Sequence, residues 1–333
     1  MQKRRIILLI TAMAVSLLAG CVKNNVKQEN TTDQAYEDGI VDENSMGIVE
    51  IEEEAAILSE APGAVSMVLK TVASGTQVKK NEYSIIDYSN VSDGYIMVKY
   101  TEDTSNKIKA QVAGPSGVVY TYNVTPKKYE VFPLSDGNGT YKTTIFQNIS
   151  GTSYMTVLSQ SFTVELTDEF APFLTPNQYV NYTENSKVVK KAASLTKGIT
   201  DPLDKVKKIY NYVVNNFTYD RKKAKTVKSG YLPDLDTVLK AKKGICFDYA
   251  AVMTAMLRSQ GVPSKLVVGY SGDAYHAWIN VYTDDSGWID GIIFFDGNIW
   301  KLMDPTYASS GKSSKAILKY IGDGSNYKAK YLY

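Results

Sequence analysis

One thiol and one imidazole frame the chemistry this chain can do. The sequence holds two cysteines and a single histidine. Cys246 lies in the run Lys243-Gly244-Ile245-Cys246-Phe247-Asp248-Tyr249-Ala250-Ala251. Gly244 closes the preceding segment and allows close backbone approach. A helix is expected to begin at Cys246, because Ala250, Ala251, Met253, Thr254, Met256 and Leu257 continue a helical pattern that Gly261 and Pro263 end. A thiol at a helix N-terminus faces the positive end of the macrodipole, which favours the nucleophilic thiolate. Such a nucleophile needs a base. The one imidazole is His276, in Ala274-Tyr275-His276-Ala277-Trp278-Ile279-Asn280-Val281-Tyr282, at the start of an alternating strand. The second ring nitrogen calls for an acceptor that orients it. Asp304, in Leu302-Met303-Asp304-Pro305-Thr306 at the end of a later strand, can supply one.

Blander roles stand beside these. A lone cysteine is commonly a small buried hydrophobe, a lone histidine is commonly structural, and an aspartate before proline is commonly a turn residue. Asp248 reads as a first-turn partner of the helix dipole rather than a catalytic group. Trp278 and Tyr249 read as core or cleft wall. One cysteine and one histidine cannot make the usual four-ligand zinc site. No metal or cofactor is therefore expected, and only an all-oxygen calcium site stays open.

Several elements must position these groups. Residues 168–333 read as mixed α and β. Ser186 to Leu195 is a helix stopped by Gly198, and Asp201-Pro202 starts another with an N-cap and a proline at the first helical position. Its apolar set is Leu203, Val206, Tyr210, Val213 and Phe217. A strand over Ser264 to Tyr270 turns at Gly272-Asp273 into the histidine strand. Further strands fall at Val281 to Thr283, Trp288-Ile289, Ile292 to Phe295 and Ile299 to Met303, with turns at Asp290-Gly291 and Asp296-Gly297. Trp288 to Phe295 is expected to form a hairpin lengthening the path from His276 to Asp304.

Residues 61–167 read as all-β. Strands are expected over Tyr95 to Tyr100, Val118 to Val124, Lys128 to Pro133, Thr140 to Phe146, Met155 to Leu158 and Ser161 to Leu166. Short strands at this spacing suggest an immunoglobulin-like sandwich. It contains no catalytic cluster and is expected to serve spacing, docking or substrate contact.

Gly-x-Cys-x-Asp-Tyr-Ala, then His-Ala-Trp, then Asp-Pro-Thr, in that order, resembles the transglutaminase-like superfamily over roughly residues 200–310. The upstream Tyr210, Val213, Phe217 and Tyr219 are similar to that family's helix before the nucleophile. The resemblance implies an α+β, papain-like fold with Cys246 as nucleophile, His276 as general base and acid, and Asp304 as orienting group. It also implies an oxyanion hole. One donor would be the Cys246 backbone N–H and the other a polar side chain, for which Tyr219 is the candidate. Trp278 would stand beside the cleft. The reaction implied is acyl transfer through a thioester, with water or an amine as acceptor. Residues 168–333 would be the catalytic domain.

The N-terminus reads as a processing segment. Lys3, Arg4 and Arg5 precede an apolar run from Ile6 to Leu18, too short for a comfortable span. Leu18-Ala19-Gly20-Cys21 resembles a bacterial lipobox, which implies cleavage after residue 20 and lipid on Cys21. The chain would then be anchored on the outer face of a bacterial cell membrane. Residues 21–60 read as an acidic tether. Between 22 and 60 there are eleven acidic and two basic residues, a net of −9; the leader carries +3 and the chain +2, so residues 61–333 carry +8. A basic body suits anionic wall polymers or lipid headgroups as neighbours, or serves solubility alone. Protein or wall-peptide amides are the expected substrates, and no nucleic acid is expected as a partner. Two rivals remain. One is a binding module that keeps the fold without the chemistry. The other is a wall-degrading Cys–His amidase of another kind, disfavoured by the short spacing from Cys246 to His276 and the lack of a second histidine.

Overall fold

The computed structural model describes residues 66–290, 293–295, 300–302 and 327–333. The leader, Cys21, the acidic tether and Asp304 lie outside the described residues. No helix among the described residues is long and apolar enough to cross a membrane.

The first part of the fold is built from strands. β1 (Val78–Lys80), β2 (Ser84–Asp87), β3 (Tyr95–Tyr100) and β6 (Tyr129–Pro133) form one antiparallel sheet in that order. β4 (Ile108–Ala113), β5 (Val119–Val124), β7 (Gly139–Ser150) and β8 (Ser153–Val164) form another, in the order β5-β4-β7-β8. Alternation sets their faces. In β5, Tyr120, Tyr122 and Val124 are buried while Val119, Thr121 and Asn123 face outward. In β4, Ile108, Ala110 and Val112 are buried. The inward residues of the two sheets meet in one core with Ile86, Ile96, Phe132 and Ile145. The two runs expected at 155–158 and 161–166 are a single strand, β8, paired to β7 along its length with register shifts near Phe146 and Asn148. β1 and β2, of three and four residues, are too short to signal themselves, and β4 alternates Ile108, Ala110 and Val112 with polar residues.

The second part surrounds one buried helix. α1 (Lys187–Leu195) and α2 (Pro202–Asn216) are followed by β9 (Thr218–Tyr219), α3 (Arg221–Thr226), α4 (Leu235–Ala241) and β10 (Lys243–Gly244). Asp201 caps α2 by accepting from Asp204 N at 2.9 Å, with Pro202 at the first position, as the sequence suggests. α5 (Cys246–Arg258) is buried on every side from Asp248 onward. A helix apolar all round belongs in a core. α1, α2 and α4 pack on it from one direction, and β11 (Ser264–Ser271) and β12 (Ala274–Thr283) from the other. β13 (Gly287–Ile289) and β16 (Tyr327–Leu332) complete an antiparallel sheet in the order β13-β12-β11-β16. β14 (Ile293–Phe295) pairs with β15 (Trp300–Leu302). The expected hairpin over 288–295 therefore does not form: Trp288 pairs with Tyr282 of β12, and Phe295 with Trp300. Val281 to Thr283 ends β12 rather than forming a separate strand.

Arg258 ends α5 fully buried. Its guanidinium donates to the carbonyls of Ser264 (2.9 and 2.8 Å), Thr175 (2.7 Å) and Tyr333 (2.7 Å). Burial pulls its pKa down to about 10, partly offset by Tyr182. The helix end, the start of β11, the connecting segment at 175 and the last strand are thus held by one side chain. Aromatic contacts join the two parts. Tyr122 meets Tyr179 edge-on at 5.7 Å and Tyr333 at 6.0 Å, while Tyr179 stacks on Tyr333 at 4.0 Å.

Candidate active site

Cys246 is the first residue of α5 and the one free cysteine among the described residues, partly exposed. Ile245 precedes it in extended conformation, and β10 delivers both. β10 pairs in parallel with β9, setting Gly244 beside Tyr219 and Lys243 beside Thr218. The Asp220 backbone N–H adds a 2.7 Å bond to the Gly244 carbonyl. Tyr219 thus lies level with a residue two positions before the thiol, half-buried.

The Gly-x-Cys-x-Asp spacing has a packing cause. A Cβ on Gly244 would stand 2.5 Å from Asp248 Cβ and 2.8 Å from its Oδ2. Only glycine leaves room for the Asp248 carboxylate to fold back over the helix start. There Oδ2 accepts from Ile245 N at 2.8 Å, satisfying a donor that the first turn leaves unpaired. Asp248 is completely buried. Its charge is met by Lys223 Nζ at 2.6 Å and by the Tyr231 hydroxyl, which donates to Oδ1 at 2.6 Å. Burial, reinforced by that bond to Asp248, pushes the Tyr231 phenol well above its ordinary range. Lys223 and Tyr231 were not singled out by sequence reasoning. The available signal was an aspartate fixed inside an apolar helix start, which demands a cation or donors from elsewhere. The first-turn role expected of Asp248 is present, with an ion pair added.

Cys246 and His276 stand at the same end of the helix–sheet layer. The far end is fixed by Arg258 on Ser264, where β11 begins. At the near end, burial above all pushes the Tyr275 phenol up, and Cys246 is close enough to add to that push. His276 is the next residue, on β12, opposite Gly269 of β11, and is buried. Strand alternation separates the two neighbours. Tyr275, Ala277, Ile279 and Val281 share a face with Leu266 and Val268, packed in one core with α5. His276, Trp278 and Asn280 share the opposite face. There Tyr327 lies 6.4 Å from the His276 ring and edge-on to Trp278 at 5.1 Å. Gly269 makes this face possible: a Cβ there would collide with the Lys328 carbonyl oxygen and approach the Trp278 ring within 2.9 Å. Trp278 is buried. Tyr219 thus stands beside Gly244, two residues before Cys246, and His276 lies on the face of β12 opposite Tyr275. Asp304 lies outside the described residues. Among those described, no group of three His, Cys, Asp or Glu side chains is placed to hold a metal.

Aromatic rings pack around Phe247, the residue after the thiol. Phe247 lies 5.5 Å from Tyr179 and 6.3 Å from Tyr231, and Tyr270 meets Tyr275 edge-on at 5.5 Å.

Comparison with known proteins agrees with the motifs. Residues 189–290 match the model of the transglutaminase-like superfamily. Over 117 residues the chain is 27% identical to the uncharacterized protein YebA of Bacillus subtilis, a match covering 29% of this chain and 16% of that protein. It is 29% identical over 87 residues to a protein-glutamine gamma-glutamyltransferase of Pseudomonas aeruginosa, covering 22% of this chain and 11% of that protein. The matched segments thus span less than a fifth of either relative. Among solved structures, the periplasmic domain of TgpA from Pseudomonas aeruginosa, bound to ethylmercury, is similar at a TM-score of 0.33 and 15% identity, covering 75% of this chain and 84% of that one. The segment that matches the family model runs from within α1 to β13 and contains both Cys246 and His276.

Proposed function

We propose that the chain is a surface-anchored thiol enzyme that transfers acyl groups from protein or wall-peptide amides. The observation carrying this reading is a partly exposed cysteine at the first position of a buried helix, at the end of a sheet whose adjoining strand bears the one histidine. The Cys246 sulfur would attack an amide carbonyl while its proton passes to His276, and Asp304 would orient the imidazole. The Cys246 backbone N–H and Tyr219 would hold the oxyanion. Collapse breaks the C–N bond, His276 returns the proton to the leaving amine, and a thioester stays on Cys246. Water then gives a peptidase or amidase, and a lysine amine gives a cross-linking transglutaminase. Cys21 would carry the lipid anchor on the outer face of a bacterial membrane. An immunoglobulin-like sandwich over 61–167 would hold the catalytic domain, 168–333, off that surface.

A second reading, a binding module with an idle thiol, has one observation in its favour. The alternation of β12 puts His276 on the face opposite Tyr275, Ala277 and Ile279, which pack in one core with α5. Alkylation separates the two. In the full chain with Cys21→Ser, Cys246 is the sole thiol. The enzyme reading expects fast reaction with iodoacetamide at mildly acidic pH, slowed about tenfold or more by His276→Ala. Slow reaction at every pH, indifferent to His276→Ala, would leave the binding module.

A further inference from the structure

The approach to Cys246 is framed by cations that the fold leaves unspent. Residues 221–228 carry five basic side chains and no acidic one. Lys223 turns inward to Asp248, which fixes α3 across the start of α5. The same geometry holds its neighbours outward: Arg221, Lys222, Lys225 and Lys228 are exposed, and among the described residues none of them has an ion-pair partner. Lys243, three residues before the thiol, is half exposed. Chain reach limits its Cα to about 11 Å from that of Cys246. The β9–β10 pairing limits Arg221 to about 19 Å, before its side chain is counted.

The nearby anions are engaged elsewhere. Asp220 caps α3 at Lys223 N and lies 3.8 Å from Lys243. The Lys223 backbone N–H, with Lys243 assisting, holds its carboxyl below the usual range. Asp234 caps α4 at Thr237 N, and Asp236 accepts from Val188 N. Asp273, in the turn between β11 and β12, and Asp234 are exposed. Phe247, the residue after the thiol, packs against the rings of Tyr179 and Tyr231.

We propose that this rim makes the site selective for acyl donors bearing negative charge beside the scissile amide, an acidic peptide segment as substrate. The proposal rests on the acyl-transfer reading for its chemistry but not for its binding. A cluster of fixed cations raises the local concentration of anions and steers their approach.

Two probes that differ in charge alone test it. In the full chain with Cys21→Ser, iodoacetate and iodoacetamide both alkylate Cys246 by displacement of iodide. The ratio of their rates, relative to that for N-acetylcysteine, is expected to rise about tenfold at low salt. It should fall back as salt shortens the screening length below about 10 Å. The triple variant Arg221→Glu, Lys222→Glu, Lys225→Glu should abolish the enhancement of the ratio, in which any change in thiolate fraction cancels. A fluorescent peptide with glutamates on both sides of a glutamine should bind with the same salt dependence, lose binding in the triple variant and protect Cys246 from iodoacetate. A normalised rate ratio of one, with peptide binding absent or indifferent to charge reversal, overturns the proposal. So does a rim that binds phosphatidylglycerol vesicles but not the peptide. Should the thiol be inert to both reagents while the peptide still binds through the rim, the selectivity stands and the acyl-transfer reading falls.

Discussion

The two halves of the molecule bury charge differently. In the stranded part, the buried carboxylates are served locally: Asp87 accepts from Ser89 N two residues on and from Gly75 N, and Glu130 meets Lys128 at 3.7 Å. Around α5, buried charge is served from afar. Arg258 reaches carbonyls 83 and 75 positions away, and Asp248 is matched by a lysine 25 positions earlier. Local pairing leaves a sheet free to tolerate change. Distant pairing makes a few side chains responsible for closure of the whole unit, and here those side chains sit at both ends of the helix that carries the thiol.

That contrast is open to direct trial. The largest effect is expected at Arg258→Met, which fills similar space but takes the guanidinium away from three buried carbonyls, of which that of Tyr333 keeps its bond from Leu266 N. A loss of about 3–5 kcal/mol in denaturant unfolding is expected. A loss below about 1 kcal/mol would break the contrast at its strongest point. Gly244→Ala comes next. The added methyl meets Asp248, so overpacking should cost about 1–3 kcal/mol. Because the helix start moves with it, Cys246 alkylation by iodoacetamide should change as well. Unaltered alkylation would separate Asp248 from positioning of the thiol. The smallest effect belongs to the stranded part. Ile96→Val, in its fully buried core, should cost about 0.5–1.5 kcal/mol and leave alkylation as it was. A change in Cys246 reactivity there would show that the two halves are coupled more tightly than their pairing suggests.

What the sequence made legible follows the same division. Patterns that repeat within a few residues could be read: the alternation of β5, the proline-capped start of α2, the onset of a helix at Cys246. The short helices α3 and α4 were overlooked although each starts on an aspartate, Asp220 and Asp234, that accepts from the backbone three residues on. α3 has one apolar residue, Ala224, and α4, with Leu235, Val238 and Leu239 at helical spacing, is only seven residues long, so both offer little periodicity to detect. β16 was also missed, a strand whose place beside β11 depends on Gly269 having no side chain. Cys246 and His276 stand out in the sequence by type and order. The Lys223–Asp248–Tyr231 cluster does not, because its members are joined by folding and by no spacing rule. The face on which His276 sits likewise emerges only when β12 is paired and packed.

The tyrosines at the junction of the two halves have a consequence for proton linkage. Tyr122, Tyr179 and Tyr333 all have phenols pushed above the ordinary value of 10.0, chiefly by burial, as does Tyr120 beside them. A group whose pKa is raised by folding supports the folded state fully below its unfolded value. That support drains away as pH climbs from about 10 through the folded values. Several such groups share one seam, so the first phenolate formed there makes its neighbours harder to ionise and their packing harder to keep. Alkali therefore acts as a wedge at this junction. Since Tyr179 also touches Phe247, the residue beside the thiol, the wedge would be felt at Cys246 before the cores on either side gave way.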